Sequence, residues 1–158
     1  MRILVIVLLL VLLSGCQSKA TKSTSPAGLP TPTPNQLLTA NDVLKAFKDA
    51  NLPIKDDVVF SDETDPNKLL GRPHQYTGKA SWNDPRTDKQ SAEDKKMTVE
   101  VFASLEDLEN RRRYVERVTS VMSPLVEYHY VHKNALLRLN HRLLPRDAAE
   151  YERILKSL

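Results

Sequence analysis

Met97, Val99 and Val101 alternate with Thr98 and Glu100, and directly beyond them Ser104 and Asp107 open a helical pattern. A period of 2 running into a period of 3.6 describes a half-buried strand followed by an amphipathic helix. The Ser104–Asp107 spacing is an acidic variant of the capping box, and Leu105, Leu108, Val115, Val118 and Met122 carry the apolar stripe behind it. Pro124 ends that helix. Leu125–Val131 and Asn134–Asn140 then flank a tight His132-Lys133 turn, which predicts a β-hairpin. Pro145 opens a last helix, with Ala148, Tyr151, Ile154, Leu155 and Leu158 on its apolar face. Strand, helix, hairpin, helix in this order excludes an all-helical bundle and points to an antiparallel sheet.

The preceding stretch is less regular. Thr39 is placed to cap a helix with Asp42 behind it, Val43, Leu44 and Phe47 follow at helical spacing, and the helix stops before Pro53. Asp57–Phe60 is a short strand candidate. Asp65, Pro66 and Gly71 read as cap, first helical residue and terminator of one short helical turn. Tyr76–Trp82 reads as a strand, and the charged run after it as an exposed loop. The expected fold class is therefore α+β: one small domain over residues 37–158, a mainly antiparallel sheet packed on one face by two or three helices. No internal repeat interrupts it.

Residues 1–36 have a different character. After Arg2 comes an apolar run from Ile3 to Leu13, too short for the ~18 residues of a membrane-spanning helix but suited to the core of a secretion signal. Leu13-Ser14-Gly15-Cys16 ends it, and Cys16 is the only cysteine among the 158 residues. This tetrad resembles the lipobox of bacterial lipoproteins. The resemblance implies a signal peptide over 1–15, and a Cys16 that becomes the lipidated N-terminus at cleavage. Two acyl chains, at about 0.8 kcal/mol per buried methylene, hold a protein stably at a bilayer. A disulfide has no partner here. Residues 16–36 are rich in Ser, Thr, Pro and Lys, with almost nothing to bury, and read as a disordered tether, its proline-rich half an extended spacer. Gln17 rather than Asp follows the cysteine.

Loss of Arg2 with the leader leaves 22 of the 23 basic residues against 20 acidic ones, a nearly neutral mature chain with no charge block of the kind that binds nucleic acid. About 120 residues then remain beyond the tether, enough for one core.

The stretches Leu69–Asp84 (LLGRPHQYTGKASWND), Thr98–Phe102 (TVEVF) and the hairpin through the last helix resemble a group of small uncharacterised lipoproteins and exported proteins of Gram-positive bacteria. In that group a Gly-Arg-Pro-x-Gln-Tyr segment precedes a strand, and a Leu-Arg hairpin strand leads to a terminal helix with Glu-Tyr. The likeness spans most of the chain from Leu37 onward. It implies a single exported domain and carries no activity.

Gly71-Arg72-Pro73-His74-Gln75-Tyr76 is the most distinctive stretch. As a ligand loop it offers Arg72 as a fork for a carboxylate or phosphate, His74 and Gln75 as polar neighbours, and Tyr76 as a stacking surface. As plain structure, Gly71 and Pro73 shape a turn and Arg72 pairs with the domain's own carboxylates. On the hairpin, Tyr128 and Tyr130 form either an aromatic recognition face or a layer under the helices, with Glu127 and Arg138 paired across the strands. In Arg111-Arg112-Arg113, Arg112 falls on the apolar stripe, where an arginine snorkels or meets a buried carboxylate.

No metal site is expected. His129 and His132 point to opposite faces of a regular strand, and His74 and His141 stand alone. Nor is a cofactor, since the chain has four glycines and no glycine-rich phosphate loop. The Gly-x-Ser-x-Gly and His-Glu-x-x-His motifs are missing too, so no catalytic residue is assigned and an enzyme is not expected. The expected role is a lipid-anchored protein on the outer face of the cell membrane, an interaction module for an envelope protein partner. Its candidate binding residues are Arg72, His74, Gln75, Tyr76, Tyr128 and Arg138, and oligomeric state is left open. One alternative is a binder of an anionic small molecule or cell-wall fragment through the Arg72–Tyr76 loop. Another is a hydrolase with an unrecognised site.

Overall fold

The computed structural model describes residues 37–87, 96–121 and 126–158. Eight elements follow in order: α1 (Ala40–Asp49), β1 (Lys55–Val59), β2 (Gly78–Asn83), β3 (Lys96–Val101), α2 (Leu105–Ser120), β4 (Glu127–His132), β5 (Ala135–Asn140) and α3 (Pro145–Leu155). The strands form one sheet in the order β1-β2-β3-β5-β4, every neighbour antiparallel. This is the expected α+β class. The short helix expected after Asp65 does not form. Lys68 takes a left-handed φ of 54° in the middle of it, and the Asp65 carboxylate turns inward instead of capping a helix.

Capping follows the sequence. Thr39 and Asp42 close a reciprocal capping box on α1, with the Asp42 backbone N–H donating to Thr39 Oγ1 at 3.1 Å and the Thr39 N–H to Asp42 Oδ2 at 3.0 Å. Ser104 caps α2, its hydroxyl accepting from the Asp107 N–H at 3.1 Å and donating to the Asp107 carboxylate at 2.7 Å. The hairpin turn sits one residue later than the sequence suggests: β4 continues through His132, and Lys133, with φ 49°, turns with Asn134. Pro124, Met122 and Leu125 lie outside the described residues, and α2 ends at Ser120.

Register sorts the side chains. Ala80, Trp82, Met97, Val99, Val101, Leu137 and Leu139 face α1 and α3, where Val43, Leu44, Phe47, Ala148, Tyr151 and Leu155 complete the main core. Phe47 packs edge-on against Tyr151, with ring centroids 5.0 Å apart. The helices do not all share one face, as the sequence led us to expect. The opposite side carries α2 and the 61–76 segment, over a smaller cluster of Tyr76, Phe102, Leu108 and Leu136. The reason lies in α2 itself: its inward side is only partly apolar, with Leu108, Val115 and Thr119 buried and Leu105 left 63% exposed. Such a helix suits the polar half of the strand alternation.

Candidate functional site

That second face is unusual for a buried surface. Lys79, Ser81, Thr98, Glu100 and Asn140 alternate with the main-core residues of β2, β3 and β5, and all are buried. Buried charges persist only when paired and hydrogen-bonded. Lys79 Nζ donates to Asp65 Oδ1 at 2.8 Å, while Ser81 and Thr98 share a hydroxyl contact at 2.9 Å. Glu100, with no exposed surface, accepts from Arg111 Nε at 3.0 Å and Nη2 at 2.8 Å, a two-pronged bond from α2 down to the sheet.

Arg138 extends the chain of charges along the same face. It donates through Nε and Nη2 to the Glu127 carboxylate at 2.8 and 2.9 Å, and its Nη1 lies 3.5 Å from Glu100. This is the Glu127–Arg138 cross-strand pair expected from the hairpin. Burial works against the charged form of Glu127, but His129 and Arg138 outweigh it and hold its carboxyl below the usual range. His129 packs between two carboxylates, Nε2 3.0 Å from Glu127 and Nδ1 3.6 Å from Glu116. Only Nε2 is within hydrogen-bond distance of its acid; Nδ1 lies beyond it. His132 points to the opposite side of the sheet, as the strand period requires.

Across this face the 61–76 segment and α2 stand apart and leave a cleft of about 660 Å³. Asn67, Leu69, His74 and Gln75 form one wall; Asn110, Arg111, Tyr114, Val115 and Val118 form the other. Glu127, Arg138 and Thr119 close the floor and one end. The loop wall is tied in place: the Gly71 N–H donates to the Tyr76 carbonyl at 2.9 Å, the Gln75 N–H to the Arg72 carbonyl at 3.1 Å, and His74 Nδ1 meets Asp107 Oδ1 at 3.1 Å. Gly71, with φ +74°, makes the first bend.

Three candidate residues, His74, Gln75 and Arg138, are thus brought into one recess. The other three are not. Arg72 is exposed on the loop's outer side and, among the described residues, its guanidinium has no ion-pair partner, so the internal salt bridge considered for it is not made. Tyr76 offers no stacking surface. It is fully buried edge-on to Phe102, its hydroxyl donating to Asp65 at 2.6 Å, because the segment needs an apolar side chain to anchor it on the sheet. Tyr128 lies on the other face, stacked on Tyr130 at 6.4 Å between centroids and donating to the Leu143 carbonyl; the tyrosines pack beneath the helices.

Arg112 does not reach a buried carboxylate; it pairs on the surface with Glu109 and Glu116. Arg111 is the inward arginine, lying between the rings of Tyr76 and Tyr114 at 5.5 and 5.8 Å. The sequence carried a signal for it. Lys79 and Glu100 occupy alternate positions of otherwise apolar strands, and a charge there requires a counter-charge from whatever covers that face.

Among the described residues no group of three or more His, Cys, Asp or Glu side chains could hold a metal ion, and no helix is long and apolar enough to cross a membrane. No family model, curated protein or solved structure matches the chain.

Proposed function

We propose that the protein is a lipid-anchored extracytoplasmic binding module, held at the membrane through Cys16 and spaced from it by residues 16–36, with its ligand seated between α2 and the 61–76 segment. The observation that carries this reading is the cleft itself. It sets His74 at the rim and Gln75 on the wall above a floor in which Arg138 and Glu127 are locked in an ion pair. Recesses with a few convergent polar groups on rigid elements are where ligands bind. A protein partner on a flat surface would not need one.

The test is p-azidophenylalanine, a photo-crosslinking residue that keeps the aromatic ring, placed at Tyr114 in the cleft wall and compared with the same residue at Lys45 on the α1 surface, in cells expressing the full chain. Binding at the cleft yields an adduct of defined mass from position 114 that position 45 does not give. Identical adducts from both positions, or none from 114, would overturn the reading.

A further inference from the structure

The binding-module reading leaves the ligand's chemistry open, and resting on that reading we infer that the cleft takes a neutral saccharide, an oligomer bearing hydroxyl and amide groups, rather than an anion. Charge decides the first half of the argument. Each of the two arginines in the cleft already places Nε and Nη2 on a carboxylate, Arg111 on Glu100 and Arg138 on Glu127. A phosphate or carboxylate entering here finds each guanidinium charge already balanced and meets the Glu100 or Glu127 carboxylate beside it, so like-charge repulsion opposes it. A cation faces the mirror-image obstacle. Arg72, the one arginine of the loop, lies outside the cleft lining.

The remaining groups suit a ligand that donates and accepts at once. Asn67, Gln75 and Asn110 line the two walls, and a carboxamide offers both roles from one planar group. Asn67 Nδ2 already donates to the Tyr76 hydroxyl at 3.4 Å and Asn110 Oδ1 already accepts from Arg113 Nη2 at 2.8 Å, so the first presents chiefly its oxygen and the second chiefly its NH2. Each arginine keeps unused N–H donors beside a carboxylate acceptor, the same pairing in a more polarised form. Tyr114 is 52% exposed at the cleft wall, with Arg111 near its ring. Its flat apolar body and polar tip match the C–H face and hydroxyl edge of a pyranose ring. An extended peptide fits less well. The floor presents side chains, and the backbone groups of β3 and β5 beneath it are paired on both sides, which leaves only the outer edge of β4 for a strand to add to. The cleft volume of about 660 Å³ lies inside the roughly 300–1,000 Å³ of ligand sites.

The experiment is calorimetric titration of the full chain in phosphatidylcholine nanodiscs with triacetylchitotriose, maltotriose and inorganic phosphate. Tyr114→Ala and Asn110→Ala test the site, since both side chains are exposed, and Lys45→Ala is the control. We expect at least one trisaccharide to bind and phosphate not to. Tyr114→Ala then weakens the saccharide by about tenfold or more, as loss of a stacking aromatic does, while Lys45→Ala leaves it unchanged. Saccharide binding unaffected by both cleft variants overturns the inference, as does phosphate binding without saccharide binding. If no trisaccharide binds while position 114 still gives its specific crosslink in cells, the saccharide class falls and the binding module stands. If both fail, both fall.

Discussion

Lys79 Nζ lies 2.8 Å from Asp65 Oδ1, and the two side chains retain only 6% and 0% of their exposure. The ammonium also sits over the rings of Phe60 and Tyr76, at 5.1 and 5.4 Å. Asp65 accepts in addition from the Tyr76 hydroxyl and from the backbone N–H groups of Leu69 and Leu70, at 3.0 and 3.2 Å. One carboxylate therefore folds the whole 61–76 segment around itself and pins it to β2. The cleft wall that carries His74 and Gln75 hangs from this point.

Removing that charge should loosen the segment. Asp65→Asn keeps the shape but strands a buried ammonium, and the change should cost about 3 kcal/mol, as breaking one side of a buried ion pair does. Urea unfolding checks it, and Asp65→Asn/Lys79→Met should recover part of the loss. The effect depends on pH in a defined direction. Burial alone would favour the neutral acid, but the bonds from Lys79, Tyr76 and the backbone outweigh it and hold the Asp65 carboxyl well below its ordinary value of 3.8. A carboxyl depressed in the folded state stabilises above its unfolded value and loses that contribution as pH falls. The gap between wild type and Asp65→Asn should thus be full at pH 7 and shrink progressively below pH ~4. A gap constant down to pH 2 would contradict this account.

Arg111 and its neighbour in sequence should behave differently. Arg111→Ala leaves Glu100 buried without its two-pronged partner and should cost about 3 kcal/mol or more. Arg112→Ala removes surface pairs with Glu109 and Glu116 and should cost under about 1 kcal/mol. Arg111→Lys should not rescue fully, because an ammonium cannot reproduce the fork or lie between Tyr76 and Tyr114 in the same way. Thermal melts of the three variants order them directly.

These arginines show where sequence reading reaches and where it stops. The strand at Met97–Val101, the capped helices and the Glu127–Arg138 pair were legible because each depends on residues close in sequence or in hairpin register. The choice between Arg111 and Arg112 depends on which face of the sheet α2 covers, a long-range fact. An apolar stripe pointed to Arg112, but the surface awaiting α2 is the polar one. The loop residues divide for the same reason: local chemistry marks His74, Gln75 and Tyr76 alike, and only the Asp65–Lys79 anchor, which joins residues fourteen apart, decides that Tyr76 turns inward.

The proposed anchor is testable apart from the domain. Cys16→Ala removes the thiol that lipidation requires, so palmitate labelling should vanish and the protein should leave the membrane fraction. The domain's melting temperature should not change, since its core is formed from residue 38 onward. Membrane retention without label would show that the Ile3–Leu13 run holds the chain uncleaved.

Gly78 opens β2 beside Val101 and the first residue of α1, Ala40. A Cβ built there falls 2.9 Å from Val101 Cγ2 and 3.6 Å from the Ala40 Cβ. Val101 is β-branched and buried, so it has little rotamer freedom to yield. Gly78→Ala should therefore destabilise by about 1–3 kcal/mol through overpacking. Val101→Ala in the same chain should give back part of that cost, which a double-mutant cycle by urea unfolding would measure.

Asn134 joins the hairpin turn to the start of α1. Its Oδ1 accepts from the Leu38 N–H at 2.8 Å, while its Nδ2 donates to the Leu38 carbonyl at 3.0 Å and to the Phe102 carbonyl at 3.1 Å. A carboxamide satisfies all three because it carries donor and acceptor together. Asn134→Asp keeps the acceptor but sets a buried carboxylate against two carbonyl oxygens that lose their donor. The cost should be about 2–3 kcal/mol at neutral pH, from unsatisfied buried groups and charge burial together. It should diminish in acid, because the protonated carboxyl regains one O–H donor. Asn134→Ala, which strands the Leu38 N–H as well as the two carbonyls but adds no buried charge, should fall between wild type and Asn134→Asp at pH 7. At pH 4 the order of the two variants should close or reverse, and a gap between them that does not narrow with acid would show that charge is not what Asn134→Asp adds.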